Sequence, residues 1–263
     1  MFKFSKNCLK RKSKIYTMEK PKAFTTSKKA MVFLHYFGGD AGSWQWVCKH
    51  LEKEVECYPL NLPGFGGTSV SATPSISSFS KYINDEIAAL DLEEYILVGH
   101  SMGGKLALNA ALQNVANPPS KIVLIAPSPP TTEDMSADEK ERMLKHPDKE
   151  EAIQTVKNGT VKSLNKERFE YAVNSQLRIA EVSWQWWLKT GMNNSIATQV
   201  KKLTTPVSVI FSEDDPVITE EAIQKEVLPY LLKATPISMK GIGHLIPLEA
   251  PKKLALLLKQ FLA

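Results

Sequence analysis

No stretch of the 263 residues approaches the roughly 18 consecutive apolar side chains of a membrane-spanning helix. The chain is nevertheless 43% hydrophobic, enough to bury a sizeable core, so a globular chain with no membrane span is expected. Cysteine is scarce. Cys8, Cys48 and Cys57 are odd in number and show no CxxC spacing, which argues against a disulfide framework or a zinc site and fits a reducing compartment. Metal-ligand spacing, a phosphate-cradling loop and a dinucleotide fingerprint are all missing; the run Gly99–Gly104 is spaced G-x-x-x-G-G and is none of these. No cofactor and no metal are therefore expected. Internal repeats and low-complexity segments are absent as well.

A net positive charge is missing from the body of the chain, although the formal net charge of the whole is +5. Residues 1–29 hold ten Lys/Arg against the single acid Glu19, so the tail carries +9 and residues 30–263 carry −4. A basic footprint for nucleic acid is thus confined to the tail, and no nucleic-acid partner is expected. The run Lys10-Arg11-Lys12-Ser13-Lys14 has no apolar stretch of the kind a secretory signal needs. Residues 1–28 are expected to be a disordered basic tail, either an extension ahead of a start at Met18 or an organelle-targeting segment of an otherwise cytoplasmic protein.

What is present is a rhythm of short apolar runs alternating with helical patterns. Ala30–Leu34, Val55–Leu60, Tyr95–Gly99, Ile122–Ala126, Val207–Phe211 and Pro236–Met239 read as strands, most of them without the alternation of a half-exposed sheet. Helices are predicted over about 43–53, 78–90, from Leu106, over 219–232 and from Pro251 to Leu262. The pattern predicts an α/β fold with a mainly parallel central sheet flanked by helices. It stops at Pro127-Ser128-Pro129-Pro130 and resumes after Pro206, so 29–126 and 204–263 are expected to form the core and 127–203 a helical cap.

Gly99-His100-Ser101-Met102-Gly103 matches G-x-S-x-G at the end of one predicted strand and the start of a helix, the context in which the motif carries chemistry. A tight turn there would stand the Ser101 hydroxyl above the sheet and leave the Met102 N–H at a helix N-terminus, where it could receive an oxyanion. Serine is unreactive alone and needs a base with an orienting acid. Acids Glu213, Asp214 and Asp215 follow one strand, and Gly243-His244 follows the last, giving the chain order Ser, acid, His. His244 is the expected base. His50 falls in a surface helix, His146 precedes a proline, His100 adjoins the serine at a sharp turn, and His35 ends a strand where it would shape a loop.

With these residues placed, residues 29–262 resemble the α/β-hydrolase superfamily, in particular its small capped serine esterases. The resemblance rests on Leu34-His35-Tyr36-Phe37-Gly38-Gly39, Leu62-Pro63-Gly64-Phe65-Gly66, Gly99–Gly104 and Gly243-His244 with Glu249-Ala250-Pro251. It implies a cap inserted after the sixth strand, a triad of Ser101, Asp215 and His244, and an oxyanion hole of the Phe37 and Met102 N–H groups. Asp215 is favoured among the three acids because it precedes Pro216-Val217. Two departures stand out: Tyr36 replaces the glycine that usually follows the histidine, and Asn61 stands where many members carry aspartate.

A serine nucleophile excludes the branches that attack through aspartate and suits acyl transfer to water. The expected activity is cleavage of a carboxylic ester, or a related acyl bond, in a small to medium apolar substrate. Tyr36, His100, Trp184 and Trp187 are candidates for the pocket, although tryptophans three apart on one helix face also suit plain packing. Two alternatives keep the fold: lyase, carbon–carbon hydrolase or cofactor-free peroxidase chemistry with the same triad, or a ligand-sensing receptor with little turnover. The expected partner is a small-molecule substrate, and the expected state a monomer or homodimer.

Overall fold

The computed structural model describes residues 29–262. Expectations for the tail, including Cys8, the start at Met18 and the basic run, lie outside the described residues. Six strands form one all-parallel sheet: β1 (Lys29–Leu34), β2 (Val55–Leu60), β3 (Tyr95–His100), β4 (Lys121–Ile125), β5 (Val207–Ser212) and β6 (Thr235–Met239). Their spatial order is β2-β1-β3-β4-β5-β6. Parallel pairing needs helical crossovers that cover both faces, and this is why β1, β3, β4 and β5 read as unbroken apolar runs. The two strands that contain proline, at Pro59 and Pro236, are the two edges, where a missing N–H breaks no internal ladder.

Alternation along each strand divides the core in two. Val32, Leu34, Leu97, Leu124 and Val209 face one side with Phe79 and Ile83 of α2 (Ile76–Ala89) and Leu106 of α3 (Met102–Gln113). Met31, Phe33, Val98, Ile125 and Ile210 face the other, against Val47 and Leu51 of α1 (Gln45–Leu51) and Leu254 and Leu258 of the C-terminal helix Pro251–Lys259. A reciprocal capping box between Ser75 and Ser78 starts α2 two residues earlier than the expected helix.

Between β4 and β5 the chain forms five α-helices, α4 (Ala137–Met143), α5 (Lys149–Asn158), α6 (Lys166–Leu177), α7 (Glu181–Trp186) and α8 (Ala197–Val200), with a π-helical turn over Trp187–Gly191 continuing α7. They follow the fourth described strand rather than a sixth, and lie within the span 127–203. The neck of this segment is knit by backbone bonds from Ile196 N–H to Pro130 O and from Glu133 N–H to Met192 O. Downstream, the single helix expected over 219–232 is broken into α9 (Glu220–Ala222), a wide turn over Ile223–Val227 and a tight one over Leu228–Tyr230, where Pro229 supplies no N–H to continue a ladder. Two further helices, α10 (Ile246–Glu249) and α11 (Pro251–Lys259), close the chain. Among the described residues no helix is long and apolar enough to cross a membrane.

Candidate active site

β3 runs straight into α3, and Ser101 is the residue between them. Its backbone has φ 52° and ψ −119°, a conformation that side chains with a Cβ rarely adopt. The turn is held from β4: Ser101 N–H donates to Ile125 O at 3.0 Å, and Ser128 N–H donates to Ser101 O at 3.0 Å. Gly103 permits it, since a Cβ there would stand 2.6 Å from the backbone oxygens of both His35 and Leu34. Met102 is the first residue of α3, so its N–H has no partner within the helix.

The three acids in the loop after β5 have different partners. Glu213 pairs with Lys240 at 3.0 Å, and Asp214 accepts from Gly241 N–H at 2.6 Å. Asp215 is buried and its Oδ2 lies 2.8 Å from His244 Nδ1. The other oxygen of Asp215 accepts from the N–H groups of Val217 and Ile218 at 2.8 and 2.9 Å, which fixes the carboxylate's orientation. Nδ1 therefore carries the proton and donates, leaving Nε2 as the acceptor. The loop bearing His244 is clamped by Glu249, whose carboxylate accepts from the N–H groups of Gly243, Val161 and Lys162, and by Gly159 O, which accepts from His244 N–H at 2.8 Å. Burial pushes the His244 pKa down, but the charge and hydrogen bond of Asp215, with a further contribution from Glu133, leave it raised above 6.5.

Ser101 and His244 line one cavity of about 540 Å³ together with Tyr36, Phe37 and Gly38. Most of the remaining wall comes from residues between Glu133 and Trp187, in the helical segment. The 36–39 loop is positioned by His35, which is fully buried: its Nε2 accepts from Leu62 N–H at 3.2 Å, so Nδ1 donates to Tyr36 O at 2.8 Å. Burial lowers the His35 pKa to about 4, keeping the ring neutral in this bridging role. Tyr36 is accommodated because Gly39 follows; a Cβ there would sit 2.5 Å from the Tyr36 ring. Asn61 keeps the acceptor function of an aspartate without its charge, through Oδ1 and Ala41 N–H at 2.7 Å.

Of the four pocket candidates, Tyr36 and Trp187 line the cavity, whereas His100 and Trp184 do not. His100 is fully buried, donates from Nε2 to His244 O at 2.9 Å and packs against the rings of Tyr36, Trp44 and His244; burial, then the neighbouring His244, hold its pKa well below 6.5. Trp184 is stacked between Phe37, at 4.2 Å, and His146, at 4.3 Å, with its Nε1–H on Met143 O. It is a packing residue behind the wall. His50 is exposed on α1 and His146 bonds Ile179 O, so neither approaches Ser101's cavity. Asp40 was not distinguished by the sequence; its carboxylate takes Gly42 N–H, Tyr171 OH and Arg178, tying the loop after β1 to α6.

Comparison with known proteins agrees with this architecture. A family model for the alpha/beta hydrolase fold matches residues 29–151. An esterase from Exiguobacterium antarcticum superimposes with a TM-score of 0.81 at 18% identity, over 90% of this chain and 92% of that one. The chain has the α/β-hydrolase fold, and its residues 29–151 match that family. A bromoperoxidase from Bacillus anthracis is as near to this α/β-hydrolase-fold protein in structure, with a TM-score of 0.81 at 16% identity over 90% and 92% of the two chains. In sequence, a 2-succinyl-6-hydroxy-2,4-cyclohexadiene-1-carboxylate synthase from Escherichia coli O8 is 33% identical over 86 residues, 33% of this chain and 34% of that protein. The matched part thus spans about a third of the length of the curated relatives.

Proposed function

We propose that this α/β-hydrolase-fold protein cleaves a carboxylic ester, or a closely related acyl bond, of a small to medium substrate through an acyl-enzyme on Ser101. The observation that carries the reading is the 2.8 Å contact of His244 Nδ1 with buried Asp215, with His244 and Ser101 on one cavity wall. Ser101 Oγ attacks the acyl carbon while His244 Nε2 takes its proton, and Asp215 holds the tautomer and stabilises the imidazolium. The N–H groups of Met102 and Phe37 receive the oxyanion. Collapse expels the alcohol with the proton from His244. A water, deprotonated by the same imidazole, then attacks the acyl-enzyme and releases the acid. Residues 127–203 serve as a cap that roofs the cavity, with Phe37, Met143, Val156 and Trp187 offering apolar wall to the substrate.

Synthase and peroxidase readings share this machinery. The first is disfavoured by charge: the compound for which that synthase is named is a carboxylate, and no lysine or arginine lines the cavity to pair with it. The test is incubation of the protein and its Ser101→Ala variant with short-chain p-nitrophenyl esters and, separately, with a fluorophosphonate probe followed by peptide mass spectrometry. Turnover and labelling at Ser101, both lost in the variant, support the reading. Labelling without ester turnover shifts it to the other chemistries or to a receptor, and neither signal overturns it.

A further inference from the structure

The cavity shared by Ser101 and His244 carries three further carboxyl groups, Glu133, Asp134 and Glu139, and no lysine or arginine in its lining. Their surroundings differ. Glu139 is neutralised by Arg142, whose Nε donates to it at 3.0 Å and whose Nη2 makes a second bond. Asp134 is exposed at the rim. Glu133, only 7% exposed, has its backbone fixed to Met192 O, and its Oε2 is buried without a hydrogen-bond partner.

A cation does act on Glu133 through space, that of Lys105 on α3. Its ammonium, however, is spent on the carbonyls of Thr131 and Met192, at 2.8 and 3.1 Å. Burial pushes the Glu133 pKa up, while the neighbouring Ser128 hydroxyl and the Lys105 charge pull it down; neither makes a hydrogen bond to Oε2 in the structure, and the Ser128 Oγ is itself without a partner. A buried carboxyl left this way costs free energy that a complementary group on a ligand would recover. Glu133 is also close enough to His244 and Asp215 for their charges to be felt, so such a ligand group would sit beside the reacting centre.

We propose that Glu133 is a specificity-determining residue that takes a protonated amine carried by the substrate, with Asp134 at the rim drawing the cation in. The inference rests on the hydrolase reading above and names the substrate class for the same site. An amine on the alcohol or acyl side of the ester would present N–H to the Glu133 carboxylate, and an anionic substrate would meet like charge on every ionised side chain of the wall.

The test is a pair of thioesters of one shape. The 2-(dimethylamino)ethyl thiobutyrate is protonated near pH 7, and 3-methylbutyl thiobutyrate places a carbon where the nitrogen stands; release of either thiol is followed with a disulfide reagent. The ratio of their kcat/KM values, divided by the ratio of their uncatalysed rates, is expected to favour the amine by on the order of tenfold, as one charge-assisted contact would give. Glu133→Gln is expected to bring that ratio near one. Asp134→Asn, at an exposed position that leaves folding intact, is expected to lower it less and mainly at low ionic strength. Fluorophosphonate labelling of each variant establishes that the site is assembled. A native ratio at or below one overturns the proposal, as does a high ratio unchanged in Glu133→Gln. Turnover of neither thioester overturns the hydrolase reading and the proposal together, whereas turnover without discrimination overturns the proposal alone.

Discussion

Ser101 keeps a Cβ at φ 52° and ψ −119°, and the fold must hold it there. A residue confined to so sparsely populated a region costs about 1–3 kcal/mol, recovered from the packing around it. Replacement by glycine removes that cost and adds about 0.5–1 kcal/mol of backbone entropy loss on folding. The net expectation is that Ser101→Gly stabilises the protein by roughly 0.5–2 kcal/mol while abolishing turnover. Ser101→Ala is the control that isolates strain, because it loses the hydroxyl but keeps the Cβ. Urea unfolding of the three proteins, with slopes compared so that midpoints can be converted to free energies, reads the difference. If Ser101→Gly is no more stable than Ser101→Ala, the elbow is not strained and the conformation is merely local preference.

Three further outcomes follow from the same geometry. Gly103→Ala places a Cβ 2.6 Å from two rigid carbonyl oxygens, about 0.4 Å inside the closest approach real side chains show. It should cost about 1–3 kcal/mol and, by moving α3 against the 36–39 loop on the scale of the roughly 0.5 Å a site tolerates, slow fluorophosphonate labelling at least tenfold. Because Asp215 raises the His244 pKa above 6.5, kcat/KM should rise with pH through an ionisation above that value, as the imidazole loses its proton and becomes able to accept one. Asp215→Asn should lower kcat by about 10⁴ and move the residual rise to lower pH; a pH–rate profile with an unmoved limb would contradict the assignment. Fully buried Lys105 has its pKa lowered by burial from 10.5 to about 8, so between those values the unfolded chain binds the extra proton and native stability increases with pH. That contribution, about 3 kcal/mol over the whole interval, should be missing from Lys105→Met when thermal unfolding is compared between pH 8 and 10.

Strands buried on both faces, as the four inner ones are, announce themselves as apolar runs, and the two partly exposed edge strands were still placed within a residue by the turn signals around them. The elbow was equally legible, since Gly99 and Gly103 mark where backbone must pass backbone. Helix ends were less so. The Ser75–Ser78 box lay just upstream of the apolar periodicity, and the break near Pro229 was hidden inside a helix-like composition. The order of serine, acid and histidine pointed to segments that the structure brings to one cavity, but the preference for Asp215 over its two neighbours depended on resemblance. In the structure the choice follows from burial and from two N–H groups that orient the carboxylate, neither of which a sequence displays.

The residues that escaped the sequence share one property: their roles depend on which buried polar atoms have partners. Trp184 and Trp187 sit three apart on one face, yet one is sealed between Phe37 and His146 and the other reaches the cavity, a difference set by helix placement rather than periodicity. His100 adjoins the serine in sequence but ends its strand on the opposite side of the sheet from the cavity wall's tryptophan, so its imidazole braces the His244 loop. Glu133 and Lys105 carry ordinary surface chemistry in composition and are both buried in the fold. A charged side chain in a βα or neck segment is solvated far more often than not, so only a structure exposes the exception, and here one of them, Glu133, lines the cavity of the candidate nucleophile. On the proposed reading, the motif accounts for the chemistry of the site and the charges that the helical segment brings to the cavity account for its selectivity.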